Sequence, residues 1–353
     1  MTDSQQAYAP GTAGPPSSQV ADPPSLGGRP RGPARFKLGR IGPYAPTIAL
    51  IALCALFTLI NSTFLTIDNF RNIIDASAIL MTVAVGLTFV ILIGGIDLSV
   101  EGVIAASSVS VALLVANDHN GNNLGLIGVI LAILVGTLFG LANGLIITRV
   151  KVPSFMATLG TWSVGLGVAT VFFGGRVPNI HDQWLRDWEL VRWFGFSPII
   201  YIAVGVVIVG YVIQRYTRVG RYAYVIGGNE ELAIQSGINV NRYKVLIFML
   251  SGTLVGLSAV MVSARLGIGD ARLGANTLFA AVTAVVVGGT LLTGGRGGVL
   301  QTVIGVLIVN VINNGMVLAG VDPYLQKAVQ GAIIVGAVTV TTWPLRSRLR
   351  MIK

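Results

Sequence analysis

The sequence predicts an all-α fold: a polytopic membrane helix bundle of about ten transmembrane helices, N-in and C-in, with glycine-interrupted helices. Three observations carry this. Of the 353 residues, 53% are hydrophobic and 11% charged, with a mean hydropathy of +0.77. A soluble domain carries about 25% charged residues, whereas hydrocarbon penalises each charge by roughly 2.5–3.5 kcal/mol at a helix centre. Apolar runs of spanning length recur along the chain, and the basic residues gather in the short stretches between them. The formal net charge of +10 therefore reads as membrane-surface loops, and nucleic acid is not expected as a partner.

Residues 1–40 are rich in Pro, Gly and Ser and read as a disordered cytoplasmic tail. Its basic end (Arg29, Arg31, Arg35, Lys37, Arg40) precedes the apolar run Tyr44–Phe64. That run lacks an A-x-A-like cleavage site and reads as a retained first helix. Residues 41–345 form the transmembrane domain, and 346–353 a basic cytoplasmic C-terminus. With ~1.5 Å rise per residue and ~30 Å of hydrocarbon, the expected spans are 44–64, 73–93, 99–116, 124–148, 154–173, 198–216, 244–264, 277–293, 299–318 and 324–343.

The positive-inside rule agrees with this count. Arg149 and Lys151, the cluster Arg215, Arg218, Arg221, Arg242 and Lys244, then Arg296, and finally Arg346, Arg348, Arg350 and Lys353 all fall on the cytoplasmic side. The outer loop 174–197 mixes both charges and carries Trp184, Trp188 and Trp193, as suits an amphipathic segment in contact with membrane lipid. The other outer loop, "ARLGIGDARLGAN", is short.

The stretch "GGIDLSVEG", Gly94 to Gly102, places two carboxylates beside a spanning run. Two adjacent glycines cost about 2 kcal/mol of helix propensity, so the helix ends or unwinds there. Ser99 is expected to cap the next helix with Glu101 in its first turn. Either this is a capped helix-turn-helix, or Gly94, Gly95, Asp97 and Ser99 form a broken helix that lines or gates a path. "TAVVVGGTLLTGGRGGVLQTVIGVLIV" has the same plan, an apolar helix, a Gly pair, a polar turn and a second helix. Corresponding interrupted helices in two halves point to a transport pathway.

Polar residues inside helices need partners that lipid cannot supply. Ser107, Ser108 and Ser110 lie in the third span, and Asn310, Asn313 and Asn314 share one face of the ninth. They either pack helices or line a passage for a hydroxylated solute. Gly136, Gly140 and Gly144 repeat small-xxx-small and predict close helix contact. In the longest cytoplasmic loop, Gly227 and Gly228 precede Asn229, which can cap a short helix from Glu230, and Gly237 can end it. That helix would present Ala233 and Gly237 to a cytoplasmic partner. Cys54 is the only cysteine, and His119 and His181 the only histidines, so neither a disulfide within the chain nor a zinc site is expected. No phosphate-binding loop, H-E-x-x-H or G-x-S-x-G occurs. The chain reads as no enzyme, and any energy source must lie elsewhere.

Four motifs occur in order: "GGIDLSVEG", "GLANGLIITRVKVPSFMATLGT", "GGNEELAIQSGINVNRYK" and "GGTLLTGGRGGVLQTVIGVLIVNVINNGMVL". In this the chain resembles the permease subunits of bacterial ribose/xylose-type ABC sugar importers, over about residues 44–343. Glu101 departs from the pattern, since many such permeases have Gly directly after "DLSV". The resemblance implies an inner-membrane permease that translocates a monosaccharide, pentose or hexose, and works as a homodimer. It implies a cytoplasmic ABC ATPase that binds the ATP and Mg, so that the permease needs no cofactor. It also implies a periplasmic or lipid-anchored sugar-binding protein. Asn229–Gly237 becomes the coupling helix to the ATPase. An ion-coupled secondary transporter of a small polar solute is the alternative, although the scarcity of intramembrane Lys and Arg argues against it.

Overall fold

The computed structural model describes residues 45–322 together with 325, 326, 328, 329, 331–333, 335 and 336. The tail 1–40, the terminus 346–353 and much of the expected span 324–343 lie outside the described residues. The described helices all fall in one compact unit. Its elements are α1 (Ala45–Ile60), α2 (Ile67–Leu92), α3 (Val100–Leu114), α4 (Leu126–Leu145), α5 (Ser154–Phe173), α6 (Gln183–Leu190), α7 (Pro198–Tyr216), α8 (Arg218–Gly228), α9 (Glu230–Gln235), α10 (Val240–Leu266), α11 (Thr277–Val287) and α12 (Val299–Leu318). No strand is present among the described residues, only isolated bridges.

Among the described residues, six helices are long and apolar enough to cross a membrane: α2, α4 with its π-helical extension to Val150, α5, α7, α10 and α12. Three expected spans are shorter. α1 has 16 residues, α3 has 15 and α11 has 11. Side chains set the helix starts. Thr66 accepts the Asn69 amide at 3.3 Å, Asn239 accepts the Arg242 amide at 3.1 Å, and Pro198 occupies the first turn of α7.

α2 is the central helix, with Val83, Ala84, Leu87 and Phe89 all but fully buried against α10, α11, α12 and α7. α4 lies directly on α10. A methyl at Gly136 would overlap the Gly252 carbonyl, one at Gly140 the Phe248 carbonyl, and one at Gly144 would stand 2.7 Å from Val245 Cα. Backbone thus touches backbone, the close approach that small residues permit. Thr137 and Thr253 share a 2.8 Å hydrogen bond across the same contact.

At the end of the bundle bearing α6, the loop after Phe173 folds over the helix ends. Arg186 donates to the carbonyls of Ala264 at 2.5 Å and Arg265 at 3.1 Å, closing the C-terminus of α10. Asp75, buried in α2, accepts from Ser197 at 2.8 Å and pairs with Arg192 at 3.3 Å. Asp118 accepts the Asn179 amide at 2.8 Å and side chain at 2.7 Å, and pairs with Arg176 at 3.0 Å. The Asn179 hydrogen bonds, followed by the Arg176 charge, hold the Asp118 carboxyl down at about 2.

Candidate coupling and translocation site

Two helices begin inside the bundle. α2 stops at Leu92 and Gly94 adopts φ +73°, after which the chain re-enters the bundle as non-helical backbone. The Ile96 amide donates to Ser154 Oγ at 3.1 Å and the Leu98 amide to Thr158 Oγ1 at 3.0 Å, both on α5. Asp97 then accepts Ser251 Oγ at 3.2 Å. Ser251 is the twelfth of the 27 residues of α10, so Asp97 lies about 16 Å along that helix, near its middle. Only beyond this point does α3 start.

Ser99 stands at the first cap position of α3 without capping it. Its hydroxyl is drawn instead to Asp97 Oδ1 at 2.5 Å, and its amide donates to the same oxygen at 3.0 Å. Asn143 of α4 donates to Ser99 Oγ at 3.0 Å, and Thr161 of α5 donates to Asn143 Oδ1 at 2.6 Å. Asp97 thus ties α3, α4, α5 and α10 together through a buried, hydrogen-bonded chain, without a cation in it.

The connection after α10, read from the sequence as a short outer loop, packs into the bundle. It runs down the side of α3. A Cβ at Gly269 would meet Ala112 Cβ at 2.5 Å, Ser108 Oγ donates to the Asp270 carbonyl at 3.0 Å, and a Cβ at Gly274 would lie 3.0 Å from Glu101 Cα. From Ala112 to Glu101 is about 16 Å of helix. α11 therefore starts deep in the bundle, beside the first turn of α3. A polar composition is common to exposed loops and to segments lining a wet cavity, so the sequence alone did not separate them.

At the α9 end three glycine-bearing segments meet. The Gly295 amide donates to the Leu92 carbonyl at 2.9 Å. A Cβ at Gly227 would overlap that carbonyl and stand 2.6 Å from the Gly295 amide, and one at Gly294 would lie 2.8 Å from the Gly94 amide. α8 is fastened further by Tyr224, which donates to the Gly297 carbonyl at 2.6 Å. Gln214 donates to the Tyr224 hydroxyl at 2.5 Å, while its own carbonyl accepts the Val299 amide at 2.7 Å at the start of α12. Burial pushes the Tyr224 phenol above its ordinary value.

α9 follows at once. Asn229 Oδ1 accepts the Leu232 amide at 3.0 Å, and Gly237 (φ +76°) closes the turn. Ala233, expected on the outward face, is fully buried. The outward face carries Leu232 and Ile234, at 57% and 58% exposure. Glu230 pairs with Lys244 at 2.7 Å. Between α9 and the break after α2 lies a cavity of about 410 Å³, lined among others by Gly94, Gly95, Lys151, Ser154, Glu230 and Lys244.

The remaining polar candidates are dispersed. Asn310 bonds the Val306 carbonyl of its own helix at 3.1 Å, and Asn314 donates to Asn69 of α2 at 2.8 Å. Asn313 borders a shallow pocket between α11 and α12. The Ser107 hydroxyl is buried without a hydrogen-bond partner, and Ser110 bonds back to the Ala106 carbonyl at 2.7 Å.

Comparison with known proteins places this architecture. Residues 69–338 match the family described as the permease component of branched-chain amino acid transport systems. The ribose import permease protein of Escherichia coli strain K12 is 36% identical over 299 residues, 83% of this chain and 91% of the relative. The chain belongs to the ABC sugar-importer permease family. The ribose import permease of Haemophilus influenzae is 37% identical over 86% of this chain and 95% of its own length. The galactose/methyl galactoside import permease of Escherichia coli is 32% identical over 83% and 92%. No solved structure matches the chain. As a permease of this family it resides in the bacterial inner membrane, acts with an ATPase and a binding protein, and is not itself an enzyme.

Sequence reasoning about the permease missed Tyr224 and Gln214. A tyrosine in a basic loop and a glutamine at a helix end carry no periodic signal, and their partners lie 73 and 85 residues away.

Proposed function

We propose that this permease moves a monosaccharide, a pentose or a hexose, handed over by an extracytoplasmic binding protein. Its ten spans run N-in and C-in, and two copies of the chain pair around the passage. A separate ATPase binds ATP and Mg, and the permease needs no cofactor of its own. Asn229–Gly237 is the coupling helix, and Leu232 and Ile234 are the side chains it offers to the ATPase. Gly94, Gly95, Asp97 and Ser99 belong to the gate above it.

The observation that carries this reading is the junction of Gly227 with Leu92 and Gly295. The segment next to α9 rests against both glycine breaks, so a push on α9 reaches both. The ribose, galactoside and allose permeases among the relatives support the substrate class. A neutral sugar requires hydrogen-bond partners and no countercharge.

The test is reconstitution of the permease with its ATPase and binding protein in proteoliposomes, with pentoses and hexoses screened. ATP-dependent uptake of a neutral sugar is expected, and the permease alone should take up none under a sodium or proton gradient. Uptake driven by an ion gradient without the ATPase would overturn the reading. Replacing Leu232 and Ile234 by Asp should abolish ATPase capture. Capture at the wild-type level would remove the coupling assignment.

A further inference from the structure

The segment Gly267–Asn276 is non-helical backbone inside the bundle, and its polar side chains are not covered by this chain. Arg272, Ala275 and Asn276 are exposed, and Glu101 beside them is half-buried. Their depth follows from two anchors. Gly274 packs on Glu101 and Ile104 of α3, and Asp97, near the middle of α10, precedes Glu101 by four residues. These residues therefore sit within about two helical turns of the middle of α10.

An arginine, an asparagine and a carboxylate at that depth cannot face lipid. A charge at the bilayer centre is costly, and irregular backbone at membrane depth is tolerated only where protein covers it or water fills the space. The exposed peptide groups of 272–276 face the same demand. Their hydrogen-bonding needs are only partly met locally: the Arg272 amide donates to Asp270 Oδ1 at 2.7 Å and the Ala275 amide to the Arg272 carbonyl at 3.0 Å. Asn276 adopts φ +67°, a left-handed conformation that asparagine tolerates better than most residues.

We propose that Glu101, Arg272 and Asn276 line the water-filled passage and form the transient contact site for a neutral polyhydroxylated solute. The inference rests on the sugar-permease reading and names its solute-contacting residues. The chemistry matches that class. Glu101 supplies acceptors, Arg272 donors, and Asn276 both. Arg272 offsets the charge of Glu101, and Asp270 is turned to the Arg272 amide. Hydroxyl groups exchange among such partners without strong retention, as passage requires easy entry and exit.

The test uses the complete complex in proteoliposomes, with Cys54→Ser removing the only native thiol. Ala275→Cys is exposed to a charged, membrane-impermeant thiol reagent, with Val204→Cys on the exposed apolar face of α7 as the lipid control. Ala275→Cys should react, Val204→Cys should not, and excess transported sugar during turnover should slow the reaction. Glu101→Gln should lower the maximal uptake rate at least about tenfold, and Asn276→Gly, which keeps the backbone conformation, about fivefold. The half-saturating sugar concentration, set by the binding protein, should stay unchanged. Ala275→Cys as inert as the lipid control overturns the passage. Labelling without sugar protection, together with unchanged maximal rates in both variants, overturns the contact site. If the wild-type complex takes up no neutral sugar, the sugar-permease reading itself fails, and labelling still reports whether the face is wet.

Discussion

The amide of Gly295 donates a 2.9 Å hydrogen bond to the carbonyl of Leu92. Leu92 ends α2, and Gly295 lies in the break before α12. The two glycine-interrupted hairpins, separated by about two hundred residues, are thus joined backbone to backbone. Gly227 of α8 fills the remaining space, leaving none for a methyl group.

Tyr224→Phe should loosen this junction. It removes the donor to the Gly297 carbonyl and the acceptor for Gln214. A destabilisation of about 0.5–1.5 kcal/mol is expected, with sugar-stimulated ATP hydrolysis by the complex lowered while ATPase binding persists. Gln214→Met should act through the same chain, so the double variant should cost less than the sum of the singles. Full additivity in thermal unfolding would show that the two side chains work independently.

Gly140→Ala should destabilise the protein by about 1–3 kcal/mol, because its methyl meets the Phe248 backbone and not a side chain that can turn away. Gly160→Ala on α5, where a methyl meets nothing within 4 Å, should gain up to about 1 kcal/mol from helix propensity. Thermal unfolding in one detergent would compare them. Equal melting temperatures would contradict the backbone contact.

Asp97→Asn should destabilise by about 1–3 kcal/mol. Asp97 receives three donors, from the Ser99 amide, the Ser99 hydroxyl and the Ser251 hydroxyl. An amide group replaces one acceptor oxygen by a donor. Ser251→Ala, which removes a single donor, should cost less. Denaturation monitored by tryptophan fluorescence would rank the two variants.

The Asp118 carboxyl titrates at about 2, below its ordinary value of 3.8. A lowered folded-state value means that its contribution is present in full above the ordinary range and fades as pH falls through about 2. The carboxyl carbon resonance of Asp118 in selectively labelled protein should therefore stay that of the ionised form at pH 3. Asn179→Ala should move its midpoint back toward 3.8. A wild-type midpoint near 4 would contradict the arrangement.

The sequence made some of this legible for physical reasons that can be stated. The pair Gly94–Gly95 weakens a helix in any context, and the chain breaks there. Gly136, Gly140 and Gly144 face one way at helical spacing, and that side meets α10. Asn229 and Gly237 bound α9 through short-range chemistry. What was hidden depends on distant partners. Hydropathy counts 99–116 and 277–293 as complete spans, because it registers apolar content and not the depth at which a helix begins. Ser99 has the composition of a cap, but Asp97, two residues earlier, takes its hydroxyl. Ala233 is small enough for docking outward and equally for packing inward, and only the burial of its helix on the bundle decides.

The glycine face shared by α4 and α10 also bears on how the molecule is made. Gly144 and Val245 touch, yet about a hundred residues separate them. At about 5–20 residues per second of synthesis, α4 spends roughly 5–20 s in the bilayer before its partner exists. Its grooved side is meanwhile filled by acyl chains, which must leave before backbone can meet backbone. The seating of α10 is thus a late step of biogenesis. Since α10 also carries Ser251, the third donor to Asp97 arrives in the same event, and a nascent chain halted before Val240 would hold that carboxylate on the two Ser99 donors alone.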